Sequence, residues 1–151
     1  MVNLAAHSGI GERWPLLKKS PFTADLELVQ ALERRSKPIF CSEDCLLFCQ
    51  GDPAIGVYIL RSGSAVLTLE SESGQVAMCF EAGAGSLLGL PAIIVKEPYS
   101  LTALAQRGSI VRYVSREDFE DVLRLEPSLS ILVYQVVAAE VIAARKAIAE
   151  N

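Results

Sequence analysis

The amino-acid sequence predicts a mainly β domain of the sandwich, barrel or jelly-roll class, flanked by helices. Three features support this prediction. Short apolar runs separated by glycine-containing turns occupy the middle of the chain, a helical pattern precedes them, and a long apolar helix follows them. At 151 residues the chain has the length of one domain, long enough to bury about two-thirds of its unfolded surface. We expect an N-terminal arm over residues 1–22 and one folded domain over residues 23–151.

The strand predictions rest on runs of five or six residues that are rich in β-branched and apolar side chains. Turn signals such as Gly51-Asp52-Pro53 and Arg107-Gly108 separate the runs. Ser62-Gly63 and Ser73-Gly74 lie where two hairpins need residues that tolerate a positive φ. The predicted strands are residues 45–49, 57–61, 65–70, 76–80, 100–105 and 110–114.

Three helices are predicted outside the strands. Thr23 can cap the first helix, which covers residues 23–35 and is stopped by Pro38. Residues 115–118 form a capping box that opens the second helix, and Pro127 closes it. The third helix covers residues 127–150 and is the longest in the chain.

The third helix has no continuous polar face. Its polar residues Ser130, Gln135 and Glu140 are five apart, so each lies about 140° round the helix from the last. A helix that is apolar all round is buried on more than one side, and its own domain covers only one side. We therefore predict a homodimer in which two copies of this helix pack together. The predicted contact residues are Leu132, Val133, Val136, Val137 and Ala144.

Charge and hydropathy argue against several other partners. The net charge is −4, and basic residues cluster only as Lys18-Lys19 and Arg34-Arg35, so direct nucleic-acid binding is not expected. The first thirty residues lack a signal-peptide pattern, which favours a cytoplasmic protein. The apolar stretch of the third helix, residues 129–144, contains Gln135 and Glu140 and is shorter than the about 20 residues that span a membrane. No membrane span is predicted.

The cysteine and histidine residues do not predict a metal site or an enzyme. Cys41, Cys45 and Cys49 are evenly spaced, but an extended strand would separate the first from the last by about 27 Å. Only Cys41 and Cys45 can approach each other across a turn, and we interpret the four cysteines as reduced structural thiols. His7 is the only histidine and precedes the strands, so neither a cupin-type metal centre nor a Ser-His-Asp triad is expected in the core. We expect no metal, cofactor or catalytic activity.

Residues 85–105 are the strongest candidate for a ligand site. Gly85, Gly89 and Pro91 surround a short apolar helical turn that precedes a strand. Backbone amides at the start of such a turn, residues 86–90, would offer hydrogen-bond donors to an anion or a polar ligand. The alternative is that the leucine and isoleucine residues here fill one end of the β core. The predicted ligand-binding residues are Ser86, Leu88, Gly89, Leu90, Pro91, Ala92, Tyr99, Ser100 and Thr102.

Two motifs upstream of this stretch carry a family resemblance. Residues 47–54 are LFCQGDPA and residues 57–63 are VYILRSG. This pattern resembles the cyclic nucleotide-binding domain of the Crp/Fnr regulators, and the similarity covers roughly residues 22–150. The resemblance implies a double-stranded β-helix jelly roll with a long C-terminal dimerisation helix.

The resemblance also implies that residues 85–105 are the phosphate-binding cassette of the family, in a degenerate form. Members that bind cyclic nucleotides place a glutamate after the second glycine and an arginine roughly ten residues later, where this chain has Leu90 and Tyr99. Loss of one charged hydrogen bond costs roughly 1.5–3 kcal/mol, so cyclic AMP should bind about 10- to 150-fold more weakly. Residues 88–93 are closer to the Fnr-like branch, whose members sense other signals.

The sequence therefore favours a dimeric regulatory or sensor module with a small-molecule effector in a neutral pocket. Two alternatives stay open: a ligand-free structural dimerisation or protein-interaction domain, and the effector half of a transcription regulator. In this family a helix-turn-helix that reads DNA follows the long helix, and this chain ends five residues after Lys146. We therefore expect no direct contact with nucleic acid from this chain.

Overall fold

The computed structural model describes residues 20–150, and within them eight strands form two four-stranded sheets. The strands are β1 (Lys37–Phe40), β2 (Cys45–Phe48), β3 (Gly56–Ser62), β4 (Ala65–Glu70), β5 (Val76–Ala82), β6 (Ser86–Leu88), β7 (Thr102–Ala105) and β8 (Ile110–Ser115). The helices are α1 (Leu26–Glu33), α2 (Leu90–Val95), α3 (Arg116–Leu125) and α4 (Ser130–Glu150), with a 3₁₀ turn at Pro127–Leu129.

The two sheets have the strand orders β1-β8-β3-β6 and β2-β7-β4-β5, and all their pairs are antiparallel. Among the described strands, only β4 and β5 are both consecutive in the chain and paired with each other. The other connections pass from one sheet to the other, which is the topology of a jelly roll. The predicted fold class, a jelly roll with flanking helices and a long C-terminal helix, is confirmed.

The six predicted strands are all present, with ends that differ from the prediction by at most two residues. The sequence analysis missed β1 and β6. Strand β1 contains Pro38, which lies at the edge of its sheet, where the missing backbone N–H removes no ladder bond. Strand β6 has three residues, too few to show an alternating pattern.

Three local predictions need correction. Helix α1 is capped by Asp25, whose carboxylate accepts a hydrogen bond from the Glu27 amide at 2.9 Å, and not by Thr23. The helix ends at Glu33, before Pro38 is reached. Ser62-Gly63 does not form a hairpin, because β3 and β4 belong to different sheets. Ser73-Gly74 does lie in the β4–β5 hairpin, and Gly74 has a φ of 86°.

Helix α4 buries one side in the hydrophobic core, next to α2 and the 3₁₀ turn, and this changes the interpretation of the predicted dimer contacts. Val133 and Val136 are only 1% and 2% exposed, because they pack into the core of their own domain. Leu132 and Val137 are half-buried against the same core. The exposed apolar residues of α4 lie on the opposite side and include Ile131, Tyr134, Val141, Ile142 and Ile148.

Most of the predicted arm, together with His7, lies outside the described residues. Its last residue, Phe22, is 2% exposed and packs edge-on against Phe80, with ring centroids 6.1 Å apart. The Phe22 carbonyl also accepts a hydrogen bond from the Leu87 amide at 2.9 Å. The hydrophobic core therefore includes Phe22, one residue before the predicted start of the domain.

Candidate ligand site

Tyr99 lies at the centre of the predicted cassette and is buried, with 3% of its surface exposed. Its hydroxyl donates a hydrogen bond to the Gly56 carbonyl at 2.6 Å and accepts from the backbone amides of Gly56 and Ile55 at 3.2 and 3.3 Å. Its ring stacks on Phe48, with centroids 4.0 Å apart. The side chain is therefore a structural bridge from the cassette to the start of β3.

The backbone of Tyr99 fixes the Gly-Asp-Pro loop that precedes β3. The Tyr99 amide donates to the Asp52 carbonyl at 3.0 Å, and the Tyr99 carbonyl accepts from the Gly51 amide at 2.8 Å. The Asp52 carboxylate accepts from the Cys49 amide at 3.1 Å, which closes the turn. Gly51 has a φ of 92°, a conformation that favours glycine. The motif and the cassette thus hold each other in place.

Gly89 makes room for the Tyr99 ring. Its φ of 94° belongs to the left-handed region, and a Cβ atom at this position would lie 2.9 Å from Cε1 of Tyr99. Any other residue would therefore be strained in its backbone and crowded against the ring. Gly89 also ends β6 and caps α2, so this one position sets the turn between the two elements.

Helix α2, which follows Gly89, begins later than predicted. We expected free amides at residues 86–90, but Ser86–Leu88 forms β6, which pairs with β3, and α2 begins at Leu90. Leu87, Leu88 and Leu90 are fully buried, as the core-filling alternative requires. Of the isoleucines, Ile93 is buried and Ile94 is 39% exposed. The Ser86 side chain is also buried, with its Oγ 3.3 Å from Oγ of Ser20.

The structure brings five of the predicted ligand residues together around one small space, which we call the cassette cavity. These are Gly89, Pro91, Ala92, Tyr99 and Ser100, and Phe48, Leu67, Leu101 and Glu140 complete the lining. The room left for the centre of a water molecule is about 10 Å³, enough for one water. Ser86, Leu88, Leu90 and Thr102 do not line this cavity, and the Thr102 hydroxyl accepts a hydrogen bond from the Gln50 amide at 2.9 Å.

A larger space, the helix cavity, lies between α4 and the β4–β5 face and has a volume of about 260 Å³. It shares Pro91, Ser100, Leu101 and Glu140 with the cassette cavity. Its walls are mainly apolar, and they include Phe22, Leu69, Met78, Phe80, Val137, Val141 and Ala144. An adjoining cavity of about 350 Å³ shares Pro21 and Phe80 with it and is also lined by Lys146. These volumes lie near the lower end of the range for small-molecule sites, roughly 300–1,000 Å³.

Glu140 is the acidic residue of the helix cavity. Its Oε2 atom is shielded from solvent and has no hydrogen-bond partner among the described residues. Burial raises the pKa of this carboxyl to about 8, because a charged carboxylate is disfavoured away from water. The sequence analysis noted Glu140 as a break in the apolar pattern of the helix and did not include it among the ligand residues.

Arg116, the first residue of α3, connects the cassette helix to the Gly-Asp-Pro loop. Its guanidinium donates to the Ile93 carbonyl in α2 at 3.1 Å and to the Ala54 carbonyl at 2.5 Å. Its backbone amide donates to the Ile55 carbonyl at 3.0 Å. This residue was not singled out from sequence, because its partners are 23 to 62 positions away.

The cysteines are arranged as the sequence analysis allowed. Cys41 and Cys45 lie side by side, and the pKa of the Cys41 thiol is raised to about 11, first by burial and then by its hydrogen bond with Cys45. The pKa of Cys79 is also raised to about 11, mainly by burial. Within residues 20–150 no three His, Cys, Asp or Glu side chains cluster as a metal site would require.

With this geometry established, comparison with known proteins identifies the family. The family model of the cyclic nucleotide-binding domain matches residues 39–126, which is more than half of the chain. The chain belongs to the cyclic nucleotide-binding domain family. The matched region of this domain contains the Gly-Asp-Pro loop, Tyr99 and Arg116, whereas α4 lies beyond it.

Solved structures of Crp/Fnr-type regulators share the fold. The catabolite activator protein of Thermus thermophilus is 24% identical, with a TM-score of 0.63 over 90% of this chain and 60% of that one. The sensor domain of the transcriptional regulator DNR from Pseudomonas aeruginosa is 19% identical, with a TM-score of 0.61 over 93% of this chain and 91% of that one. The N-terminal domain of a Streptomyces coelicolor transcriptional regulator is 21% identical, with a TM-score of 0.60 and coverages of 88% and 94%. No curated protein sequence matches the chain.

The segment Pro127–Glu150 is long and apolar enough to cross a membrane by length and composition alone. Core helices of water-soluble proteins meet the same two criteria. The absence of a membrane span therefore stays a prediction from sequence.

Replacing Tyr99 by phenylalanine should lower the free energy of unfolding by about 1–3 kcal/mol, because the Gly56 carbonyl and two amides lose a buried hydrogen-bond partner. Urea denaturation followed by circular dichroism measures this change. Ser42→Ala is the control, since it removes an exposed hydroxyl that lies outside the cassette and outside α4. Equal stability of the two variants would show that the Tyr99 hydroxyl does not hold the loop.

Replacing Glu140 by glutamine should remove a pH dependence of stability. The folded carboxyl titrates near pH 8 and the unfolded one near 4.5, so the folded protein holds the extra proton between these values. Its free energy of unfolding therefore falls as pH rises from about 5 to 8. The variant should be more stable than the wild type at pH 8.5 by up to about 4 kcal/mol, and equal to it near pH 4.

Denaturation of both proteins at several pH values tests this prediction. Glu150→Gln is the control, because Glu150 is exposed on the same helix. Parallel pH profiles for wild type and Glu140→Gln would contradict the burial of this carboxyl.

Proposed function

We propose that this chain is a dimeric regulatory module that senses a small molecule other than a cyclic nucleotide, bound in the helix cavity. The observation that carries the proposal is the position of Tyr99, which occupies the cassette and leaves about 10 Å³ there. The module is cytoplasmic, has no catalytic activity and needs no cofactor. The effector reaches its site from the side of α4, where the larger cavities are found.

The charges around the two cavities support an effector without a phosphate. Among the described residues that line the cassette cavity and the helix cavity, none is lysine, arginine or histidine. Glu140 lines both, and its negative charge, when ionised, would repel a phosphate. A cyclic phosphate buried there would lack the charged hydrogen bonds that offset its loss of water.

The outer face of α4 supports a homodimer. Ile131, Tyr134, Ala138, Val141, Arg145 and Ile148 follow each other at intervals of three and four residues. All six are exposed, and five of them are apolar or aromatic. We call these six residues the seam. Their spacing is typical of the contact line of a two-helix coiled coil, so a second copy of the same helix is the partner that matches it. The seam lies opposite Val133 and Val136, which pack into the domain.

Helix α4 offers a physical link between effector and dimer. It lines the helix cavity through Val137, Glu140, Val141 and Ala144, and Val141 also belongs to the seam on its outer face. A molecule that fills the cavity contacts α4 and β5 together, so binding favours one position of the helix over others. In this proposal the two seams of the dimer respond to that shift.

A ligand-free dimerisation domain is the second candidate function. The observation that favours it is the closure of the cassette, where Tyr99 stacks on Phe48 and Leu88 and Leu90 are fully buried. Such a domain would use the α4 seam alone. The chain spans 60% of the length of the Thermus thermophilus protein, so either candidate also suits one part of a longer regulator.

Cyclic AMP should not stabilise the protein. At a ligand concentration of about 1 mM, a site with a Kd of 10 μM would add about 2.7 kcal/mol and raise the melting temperature by several degrees. We expect a rise of less than about 1 °C in a thermal-shift assay. Saturable stabilisation at micromolar cyclic AMP would contradict the proposal that the cassette is degenerate.

Placing a charge in the seam should break the dimer. Ala138 is exposed at the middle of the seam and lines none of the cavities described above, so Ala138→Glu should convert the dimer to a monomer through like-charge repulsion. Analytical ultracentrifugation at micromolar concentration measures the mass. Ala84→Glu is the matched control, because Ala84 is exposed in the turn before β6. A monomeric wild type, or a dimer that survives Ala138→Glu, would exclude this interface.

A further inference from the structure

Packing within the fold does not explain why a carboxyl side chain occupies position 140. The residue lines the helix cavity and the cassette cavity, and its Oε2 atom is shielded from water without a partner among residues 20–150. A buried carboxyl without a hydrogen bond costs free energy, and a leucine or methionine at this position would avoid that cost. We therefore expect the hydrogen-bond donor to Oε2 to come from outside the described residues.

The surroundings of Glu140 define the chemistry of that partner. Among residues 20–150, the only titratable side chain besides Glu140 that lines either cavity is Tyr99, whose hydroxyl already donates to the Gly56 carbonyl. Burial is the sole cause of the raised Glu140 pKa, so no positive charge of the described chain compensates it. Lys146 lines the adjoining cavity, which does not include Glu140.

We propose that Glu140 binds the basic nitrogen of a small, mainly apolar amine that occupies the helix cavity. The inference rests on the proposed function of this cavity and names the class of its effector. The ammonium group would donate a charge-assisted hydrogen bond to Oε2, and the apolar part would contact Phe22, Met78 and Phe80. Oε2 is already shielded from water in the folded protein, so binding adds little desolvation cost at this atom.

Other classes of ligand match the cavity less well. An anion would meet the ionised carboxylate, and among the described residues that line the two cavities no cation opposes this repulsion. A neutral alcohol or amide would satisfy one hydrogen bond but would leave the ionised carboxylate without a counter-charge. An amine supplies both the donor and the charge, and this makes it the preferred partner.

The test compares three probes of similar size on the full-length protein by isothermal titration calorimetry: 2-phenylethylamine, 2-phenylethanol and 3-phenylpropanoate. We expect the amine to bind the wild type at least tenfold more tightly than the alcohol, and the anion not to bind. Glu140→Gln should reduce the affinity for the amine at least tenfold and leave that for the alcohol unchanged. Glu150→Gln, on the same helix but exposed, should behave as wild type.

The pH dependence on the wild type gives a second measurement that needs no variant. The amine stays protonated below about pH 9, and Glu140 ionises near pH 8. Binding of the ammonium requires the ionised carboxyl, so the affinity should rise about tenfold per pH unit from pH 6 to about 7.5 and level off above about pH 8. The affinity for the alcohol should not follow this profile.

The outcomes separate this inference from the proposed function. If the alcohol binds and the amine binds no better, with no change in Glu140→Gln, the role of Glu140 is excluded and the helix cavity stays a ligand site. If none of the three probes binds the wild type, the amine inference is contradicted, whereas the ligand-sensing function is tested separately by native mass spectrometry of the purified protein for a co-purified small molecule.

Discussion

The hydrogen bonds of the Tyr99 hydroxyl are the constraint on which the rest of the site depends. They connect the cassette to the first residue of β3, and the ring above them occupies the space beside Gly89. The Tyr99 side chain satisfies buried backbone groups and fills the cassette, two roles that a bound polar ligand could otherwise take. The Phe48 ring stacks on Tyr99, and the Arg116 guanidinium donates a hydrogen bond to the Ala54 carbonyl in the same loop. The loop is therefore held in one conformation without a ligand.

Because Tyr99 fills most of the cassette, the larger cavities lie beside α4. The cassette cavity has room for one water, whereas the cavities that border the helix are more than twenty times larger. In the proposed function the effector therefore contacts α4, whose other face carries the proposed seam. Glu140, whose Oε2 has no hydrogen-bond partner among the described residues, lines both the small and the large cavity, and we infer that it favours a cation over a phosphate.

The sequence predicted most of the fold, and the exceptions have physical causes. Strands β4 and β5 could be predicted because apolar residues and the Ser73-Gly74 turn agree on one hairpin. Strand β6 could not be predicted, since three residues beside a glycine are too few to show an alternating pattern. The family resemblance implies that Tyr99 stands where nucleotide-binding members have an arginine, but the hydrogen bond from Tyr99 to Gly56 spans 43 residues, and such contacts leave no local signal. The sequence could not show that Val133 and Val136 are buried in their own domain, because a helix that is apolar all round has no polar face to orient it.

We infer that Tyr99 occupies the cassette and holds the Gly-Asp-Pro loop in the absence of a ligand. Hydrogen exchange of the Ile55 and Gly56 amides, which donate to the Tyr99 hydroxyl, tests this claim most directly. We predict slow exchange in the free protein, faster exchange in Tyr99→Phe, and no change when cyclic AMP is added. Fast exchange of these amides in the free protein that becomes slow only with cyclic AMP would contradict the claim, because the nucleotide and not the tyrosine would then order the loop.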